Sequence, residues 1–97
     1  MDFIIEANRI YAEDTDGNLL AEVDFPAVSP DTVNISHTFV DDSLRGQGIA
    51  GQLLAAAAKT IRGQGKKVRP TCSYAVKWFE KHKEERDLLE EESDGTV

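Results

Sequence analysis

The fold is decided by Leu44-Arg45-Gly46-Gln47-Gly48-Ile49-Ala50-Gly51-Gln52-Leu53-Leu54, which follows an extended apolar run from Val33 to Val40. Two glycines lie where a strand is expected to become a helix, so the backbone can turn tightly there and approach a ligand closely. A helix that begins at this point directs unpaired N–H groups and the positive end of its dipole into the turn. The stretch therefore predicts a main-chain cradle for phosphate, with the Arg45 guanidinium beside it.

Length and composition predict one small globular domain. The chain has 97 residues, of which 40% are hydrophobic and 30% charged. No apolar run approaches the roughly 20 residues that span a bilayer, and the acidic start lacks the basic residues that open a secretion signal. The single cysteine, Cys72, excludes an internal disulfide and a cysteine-rich metal site. We therefore expect a protein of the reducing cytoplasm with no metal site and no membrane partner.

The charge is unevenly distributed along the chain. The net charge of −7 argues against nucleic acid as a partner. Residues 1–44 carry ten acids and one base, a net of −9, and residues 45–86 carry ten bases and three acids, a net of +7. The last eleven residues add −5. The positive block begins at the predicted cradle, where an anionic ligand is favoured, although solvated helix faces explain most of its lysines equally well.

The first half predicts an antiparallel meander. Phe3–Glu6 and Arg9–Glu13 are expected to form one interrupted strand, and Asp16-Gly17 predicts a hairpin turn. The return strand is expected from Asn18 to Val28. The alternation over Thr32 to Val40 predicts a third strand. One apolar face of that strand is expected to carry Val33, Ile35, His37 and Phe39.

The second half predicts a helix, a strand and a second helix. The first helix has an apolar stripe at helical period and a stop residue at Gly63. The stripe consists of Ile49, Leu53, Leu54, Ala57, Ala58 and Ile61. The strand, Lys67 to Cys72, is interrupted by Pro70, which cannot donate to a ladder. Ser73 is expected to cap a helix from Tyr74 to about Arg86.

These elements follow in the order β-β-β-α-β-α, which predicts a single α+β domain over residues 1–86. Residues 87–97 are expected to form an acidic, flexible tail, because a segment of this composition buries little apolar surface.

The pattern Arg45-x-x-Gly48-x-Ala50 resembles the acyl-coenzyme A pyrophosphate motif of the GNAT acetyltransferase superfamily. The chain is most similar to its small, COG2388-type group of GNAT-like proteins. Three segments carry the resemblance: His37-Thr38-Phe39-Val40, Leu44-Arg45-Gly46-Gln47-Gly48-Ile49-Ala50 and Pro70-Thr71-Cys72-Ser73-Tyr74. The resemblance implies a GNAT-like fold, in which an antiparallel meander is followed by a helix, a splayed strand and a C-terminal helix. This sequence lacks the regions that usually build the acceptor pocket in larger members of the superfamily.

The resemblance implies acetyl-coenzyme A as the cofactor and assigns it two contact regions. The pyrophosphate would be bound by the amides of Gly46, Gln47, Gly48, Ile49 and Ala50, with a phosphate contact from Arg45. The pantetheine arm would pair with the backbone of Thr38, Phe39 and Val40, in a slot opened by the splayed Pro70 strand. The alternatives are a structural glycine turn, a solvated Arg45 and an edge strand with nothing bound beside it.

Three side chains are candidate catalytic residues. Cys72 precedes a helix N-terminus that would favour its thiolate, and it would accept acetyl before passing it on; the alternative is a small buried hydrophobe. His37 suits a general base, or else a hydrogen-bonded core residue. Tyr74 would protonate the departing coenzyme A thiolate, or simply pack. Lys77 and Lys81 are either contacts of the 3′-phosphate or solvated.

The sequence thus predicts an N-acetyltransferase that moves acetyl from acetyl-coenzyme A to an amine, which would be a protein lysine, a polyamine or a small amine. The acidic first half favours a cationic acceptor. The alternative is a non-catalytic acyl-coenzyme A-binding module or sensor, which the missing acceptor-pocket regions favour. The sequence leaves open whether the amine attacks the thioester directly or through an acetyl-Cys72 intermediate. Neither the acceptor nor the oligomeric state follows from the sequence.

Overall fold

The computed structural model describes residues 2–90, which form two small sheets and two α-helices. The strands are β1 (Ile4–Ile5), β2 (Arg9–Glu13), β3 (Leu19–Asp24), β4 (Ala27–Ser29), β5 (Thr32–Ile35), β6 (His37–Val40) and β7 (Lys67–Pro70). The helices are α1 (Ile49–Gly63) and α2 (Ser73–Lys81), and 3-10 segments occupy Asp42–Leu44 and Lys83–Leu88. The predicted α+β class is confirmed.

The first sheet has the antiparallel strand order β1-β2-β3-β6. The predicted Asp-Gly hairpin joins β2 to β3, with Gly17 at φ 84° and the Asp14 amide donating to the Asn18 carbonyl at 2.9 Å. The prediction that the first two segments form one interrupted strand is wrong, because β1 folds back antiparallel on β2. The return strand ends at Asp24 rather than Val28, since the chain passes Pro26 and starts β4 in the second sheet.

The second sheet has the order β4-β5-β7, with β5 and β7 parallel. The prediction of one strand over Thr32 to Val40 is wrong, because a β-bulge at Ser36 divides it. Ser36 and His37 both lie opposite Asp24: the Ser36 amide donates to the Asp24 carbonyl at 3.1 Å, and His37 is the Cα partner. The bulge transfers the chain from the second sheet to the first and leaves His37 exposed.

The first helix is confirmed at its predicted C-terminal end and on its buried face. The six predicted stripe residues are its buried ones, and the helix ends at Gly63. Leu53 is fully buried in the core, and α1 packs against strands of both sheets. Burial of a side chain of this size stabilises the fold by about 1.5–3 kcal/mol. The stripe fixes the orientation of α1 and therefore of the glycine loop at its N-terminus.

The second helix is shorter than predicted. β7 ends at Pro70 rather than Cys72, and Cys72, not Ser73, is the cap residue of α2. The helix ends at Lys81 rather than Arg86, because His82 has φ −110° and ψ 73°, outside the helical region. A 3-10 segment then continues to Leu88.

The packed domain continues past residue 86, the predicted boundary. Leu88 is buried in the core, and the Glu90 amide donates to the Val68 carbonyl at 2.9 Å. The Glu90 carboxylate accepts from Arg69 at 2.6 Å and from the Thr32 hydroxyl at 3.1 Å. These contacts dock the chain beside β7. The remainder of the predicted tail, 91–97, lies outside the described residues.

Candidate functional site

The glycine loop forms an open turn at the N-terminus of α1. Gly46 has φ 82° and Gly48 has φ 74°, both in the left-handed region that favours glycine. Apart from its neighbours in the chain, a Cβ added at either position would meet no atom of the described residues within 4 Å, so the space in front of the loop is open. The first helical bond runs from the Gln52 amide to the Gly48 carbonyl at 3.1 Å. The preceding amides, from Ile49 to Gly51, therefore face this space without helical partners.

The segment before the glycines is held by a local capping contact. The Asp41 carboxylate accepts from the Ser43 amide at 3.1 Å, and hydrogen bonds from the Ser43 hydroxyl and amide lower the pKa of Asp41. Arg45 Nε lies 2.9 Å from Asp42 Oδ1, in an exposed ion pair. Because exposed ion pairs contribute little to stability, the Arg45 guanidinium can exchange Asp42 for a phosphate.

The loop forms one wall of a cleft with a volume of about 230 Å³. It is lined by Val40, Leu44, Arg45, Gly46, Gly48, Ile49, Ala50 and Tyr74. The cleft brings the end of β6, the glycine loop and the start of α2 together, so most of the predicted cofactor-binding residues share one surface. Gln47 is exposed on the loop, outside the lining. A volume of this size accommodates a diphosphate with the adjoining groups, and its free amides fit such an anion.

A free strand edge leads away from the cleft. Among the strands of residues 2–90, β6 pairs only with β3 in its sheet. The Asp41 amide donates to the Leu20 carbonyl at 2.8 Å, so by strand alternation the backbone groups of Phe39 also face β3. The backbone groups of Thr38 and Val40 face the open side instead. Thr38 lies two residues before Val40, which lines the cleft. Because two residues of strand span about 7 Å, Thr38 lies about that distance from the cleft along the strand edge.

Cys72 lies on the open side of this edge. Its Sγ is 3.4 Å from Thr38 Oγ1, and the residue is half-buried. The helix gains no regular side-chain cap from Cys72. Burial raises the pKa of the Cys72 thiol, but hydrogen bonding by the Thr38 hydroxyl and by the amides of Ala75, Tyr74 and Thr38 outweighs it, so the pKa is lowered. The thiolate is thus favoured where the strand edge meets the start of α2.

Pro70 lies at the point where the two sheets diverge. It ends the parallel pairing of β7, opposite Ile35, just before the bulge. The Ile35 carbonyl accepts from the amides of both Thr71 and Cys72 at 3.1 Å. Beyond Ile35, β6 pairs in the other sheet while the chain after β7 starts α2. This divergence leaves the side of β6 that carries the backbone groups of Thr38 and Val40 facing Cys72.

His37 does not lie on the apolar face that the sequence predicted. The bulge at Ser36 shifts the alternation of side chains along the strand. The side chain of His37 is 57% exposed, and its Nε2 lies 4.0 Å from Glu22 Oε1. Asp24 is nearby, and its pKa is raised by burial and by the Glu22 charge. Arg9 pairs with Glu22 and partly neutralises this group of charges. The structure thus places His37 among carboxylates, outside the lining of the cleft.

Two contributors to the site were missed by sequence reasoning. Leu44 lines the cleft, and its signal is an apolar residue inside a polar loop. The side chain of Thr38 contacts the thiol, whereas the sequence assigned only its backbone. No local pattern reveals that contact, because Thr38 and Cys72 are 34 positions apart.

Comparison with known proteins identifies the family. The family described as GCN5-related N-acetyl-transferase matches residues 9–88. The chain belongs to this family, the GNAT acetyltransferases. It is therefore an acetyltransferase, from a family that uses acetyl-coenzyme A. No curated protein matches the chain.

The solved structures that resemble this GNAT protein differ in size. A GCN5-like protein from Staphylococcus aureus is 32% identical, with 95% of this chain and 92% of that chain covered and a TM-score of 0.75. YhbS from Escherichia coli, crystallised with CoA, is 24% identical, with 71% and 42% covered and a TM-score of 0.60. Ard1 from Thermoplasma volcanium is 19% identical, with 77% and 53% covered and a TM-score of 0.61. The chain thus spans about half the length of the latter two, which share its fold.

Within residues 2–90, no helix is long and apolar enough to cross a bilayer.

Proposed function

We propose that this GNAT protein transfers acetyl from acetyl-coenzyme A to an amine, either a protein lysine, a polyamine or a small amine. The observation that carries the proposal is the open edge of β6, which joins the glycine-lined cleft to the Cys72–Thr38 contact. We also propose that the chain belongs to the small COG2388-type group, because it covers 92% of the Staphylococcus structure.

The proposed contacts with coenzyme A use backbone groups that face the cleft and the open edge of β6. The amides of the loop from Gly46 to Ala50 would hold the diphosphate at the helix N-terminus, with Arg45 as the neighbouring cation. The backbone of Thr38 and Val40 would pair with the amide groups of the pantetheine arm, as an added strand does. Phe39 contributes to this edge by anchoring β6 to β3. The thioester would then come to lie near Cys72.

The transfer step uses Cys72 as the nucleophile. Its thiolate would bond to the acetyl carbon while the bond between that carbon and the coenzyme A sulfur breaks, and Tyr74 would give the departing sulfur a proton. An acceptor amine would then attack the acetyl carbon, and Cys72 Sγ would leave as the thiolate. The amine proton would pass through solvent to His37, which lies outside the cleft, and would return through solvent to Tyr74, which gave up its proton in the first step. The position of Cys72 beside Thr38 and its lowered pKa support this route, and direct attack by the amine is the alternative.

A cationic acceptor is favoured by the acids beside the strand that leads to the site. Glu22 and Asp24 flank His37, and Arg9 neutralises them only in part. We therefore expect cationic amines to be acetylated faster than neutral ones at low salt, and this preference to fade at high salt. Equal turnover of cationic and neutral amines at low salt would contradict a preference for cationic acceptors.

Mass spectrometry after incubation with acetyl-coenzyme A tests the covalent route. Because the chain has one cysteine, an acetyl group that hydroxylamine releases reports on Cys72. We expect this adduct on the wild type, and its loss together with most amine acetylation in Cys72→Ala. Ser73→Ala, one residue further on, is the matched control and should retain both. Full activity of Cys72→Ala would instead support direct attack.

A screen of amine acceptors with labelled acetyl-coenzyme A tests the transfer itself. Saturable coenzyme A binding without acetylation of any acceptor would favour the non-catalytic module. Absence of binding at millimolar concentration would overturn the proposal altogether.

A further inference from the structure

Side chains that can ligate a metal ion cluster on the outer face of the first sheet. Glu22 and Asp24 are two positions apart on β3, so their side chains share a face. His37 on β6 lies directly opposite Asp24 in the register of the two strands. The intervening Val23 points to the other face and is buried in the core. Two paired strands therefore hold two carboxylates and an imidazole together, on the side of the sheet away from the core.

The three side chains are close enough to share one ion. One ligand atom from each lies within 4.8 Å of the other two, and His37 Nε2 is 4.0 Å from Glu22 Oε1. Two donors on the same Zn²⁺ ion lie at most about 4.2 Å apart, which is twice the length of one bond. Rotation of the exposed His37 side chain brings the donors to that spacing, while β3 holds the two carboxylates in place.

Arg9 balances only part of the negative charge in this cluster. Its Nε pairs with Glu22 Oε2 and lies 3.9 Å from Asp24 Oδ1. Glu22 Oε1 is thereby left on the side of His37. The Glu22 side chain is only 15% exposed, so solvent screens its charge poorly. Burial and the Glu22 charge raise the pKa of Asp24, and a second cation between the carboxylates and the imidazole would relieve this repulsion.

The donor types favour Zn²⁺ over Mg²⁺ or Ca²⁺. The latter two ions take oxygen ligands, whereas an imidazole nitrogen combined with carboxylate oxygens suits zinc. Three protein ligands leave the remaining coordination position to water. The single cysteine predicted that the chain has no metal site, but a site built from one imidazole and two carboxylates needs no cysteine.

We propose that Glu22, Asp24 and His37 bind Zn²⁺, and that the bound ion inhibits amine acetylation. An ion on His37 Nε2 occupies the lone pair that would otherwise accept the proton of the acceptor amine. It also neutralises the carboxylates that favour a cationic acceptor. The inhibition rests on the proposed function, whereas the binding of zinc does not.

Isothermal titration with Zn²⁺ tests the site on the full chain, freed of metal with a chelator and carrying Cys72→Ala to remove the one thiol. We expect a single ion per chain. Loss of an outer partner of a metal ligand costs roughly 10–100-fold in affinity, so His37→Gln and Glu22→Gln should each weaken binding at least about tenfold. His82→Gln is the matched control, because it removes the other histidine, and it should retain the affinity. Equal weakening by both histidine variants, or Mg²⁺ binding as tight as that of Zn²⁺, would overturn the site.

Nuclear magnetic resonance of the histidine ring nitrogens needs no variant at the site. Zn²⁺ should shift the Nε2 resonance of His37 and leave the ring of His82, whose Nδ1 lies 2.9 Å from the Trp78 carbonyl oxygen, unchanged. A shift of neither ring, or of both rings equally, would contradict the proposed ligands.

Amine acetylation measured over a range of Zn²⁺ concentrations tests the inhibition. Relative to its own activity without zinc, Asp24→Asn should need about tenfold more Zn²⁺ than the wild type for half-inhibition. Equal inhibition of both proteins would place the inhibitory ion elsewhere, for example on Cys72, and would overturn the inhibitory role. Absence of amine acetylation without zinc would overturn the proposed function, while the titration still decides whether the zinc site exists.

Discussion

The N-termini of α1 and α2 both carry amide groups without a regular side-chain cap, but they are suited to different tasks. Within the described residues, no side chain hydrogen-bonds to the first amides of α1, whereas the first amides of α2 lack a regular side-chain cap and hydrogen-bond to the Cys72 sulfur. At α1 the cap is Gly48 in the left-handed conformation, with free space in front. At α2 the cap is Cys72 in an extended conformation, with its sulfur beside Thr38.

The difference shows how one physical property serves two purposes. A helix N-terminus stabilises nearby negative charge. Where the cap is glycine, that charge must come from a ligand, and we infer a diphosphate. Where the cap is a cysteine, the charge can arise on the protein itself, and the pKa of the thiol falls. Binding of the ligand at α1 and activation of the Cys72 thiol at α2 can therefore be separated by mutation.

The largest expected effect is at the α1 N-terminus. We expect Gly48→Ala to weaken acetyl-coenzyme A binding about a hundredfold, the equivalent of about two charge-assisted hydrogen bonds. The added Cβ meets no protein atom within 4 Å, so the loss would come from the strained positive φ and from the space that the ligand needs. Isothermal titration measures the affinity.

Gly17→Ala is the matched control for this prediction. Gly17 also has a positive φ and open space around it, but it lies in the β2–β3 hairpin. It should lower thermal stability while leaving affinity unchanged. Equal loss of affinity in both variants would show that backbone strain alone, rather than the α1 N-terminus, explains the effect.

The α2 N-terminus should respond through the pKa of Cys72. Thr38→Val removes the hydroxyl that stabilises the thiolate, so the pKa of Cys72 should rise. The midpoint of the pH profile of iodoacetamide alkylation should therefore move to higher pH. Coenzyme A binding should change little, since the backbone of β6 is retained.

Thr71→Val provides the comparison for the alkylation profile. Thr71 precedes Cys72, but its hydroxyl donates to Asn34 Oδ1 at 2.9 Å rather than to the sulfur. Its profile should match the wild type. A wild-type midpoint in Thr38→Val would mean that the helix amides, and not the hydroxyl, set the pKa.

The smallest effect is expected at Arg45, because it is exposed and already paired with Asp42. Arg45→Gln should weaken acetyl-coenzyme A binding only about threefold, as surface charges contribute little. Asp42→Asn should have the opposite sign and tighten binding slightly, since it frees the guanidinium. A change of the same sign in both variants would show that the ion pair shapes the loop instead of competing with the ligand.

Local patterns predicted much of the site, while long-range pairing decided its chemistry. The glycine loop and the buried stripe of α1 follow from spacing within one segment, so both were predicted correctly. The side chain of His37 was assigned to the wrong face, because a bulge depends on pairing with β3, 13 positions earlier at Asp24. The Thr38–Cys72 contact was missed for the same reason.

The amino-acid sequence by itself determined the α+β class, the helix that follows the glycine loop, and the segments that resemble the family, because each depends on residues that are near neighbours in the chain. Only the tertiary structure decided where the sheets separate, which edge of β6 is open, and which groups surround the thiol. Those features depend on the pairing of β3 with β6 and of β5 with β7, and backbone hydrogen bonds between distant strands do not depend on any local motif.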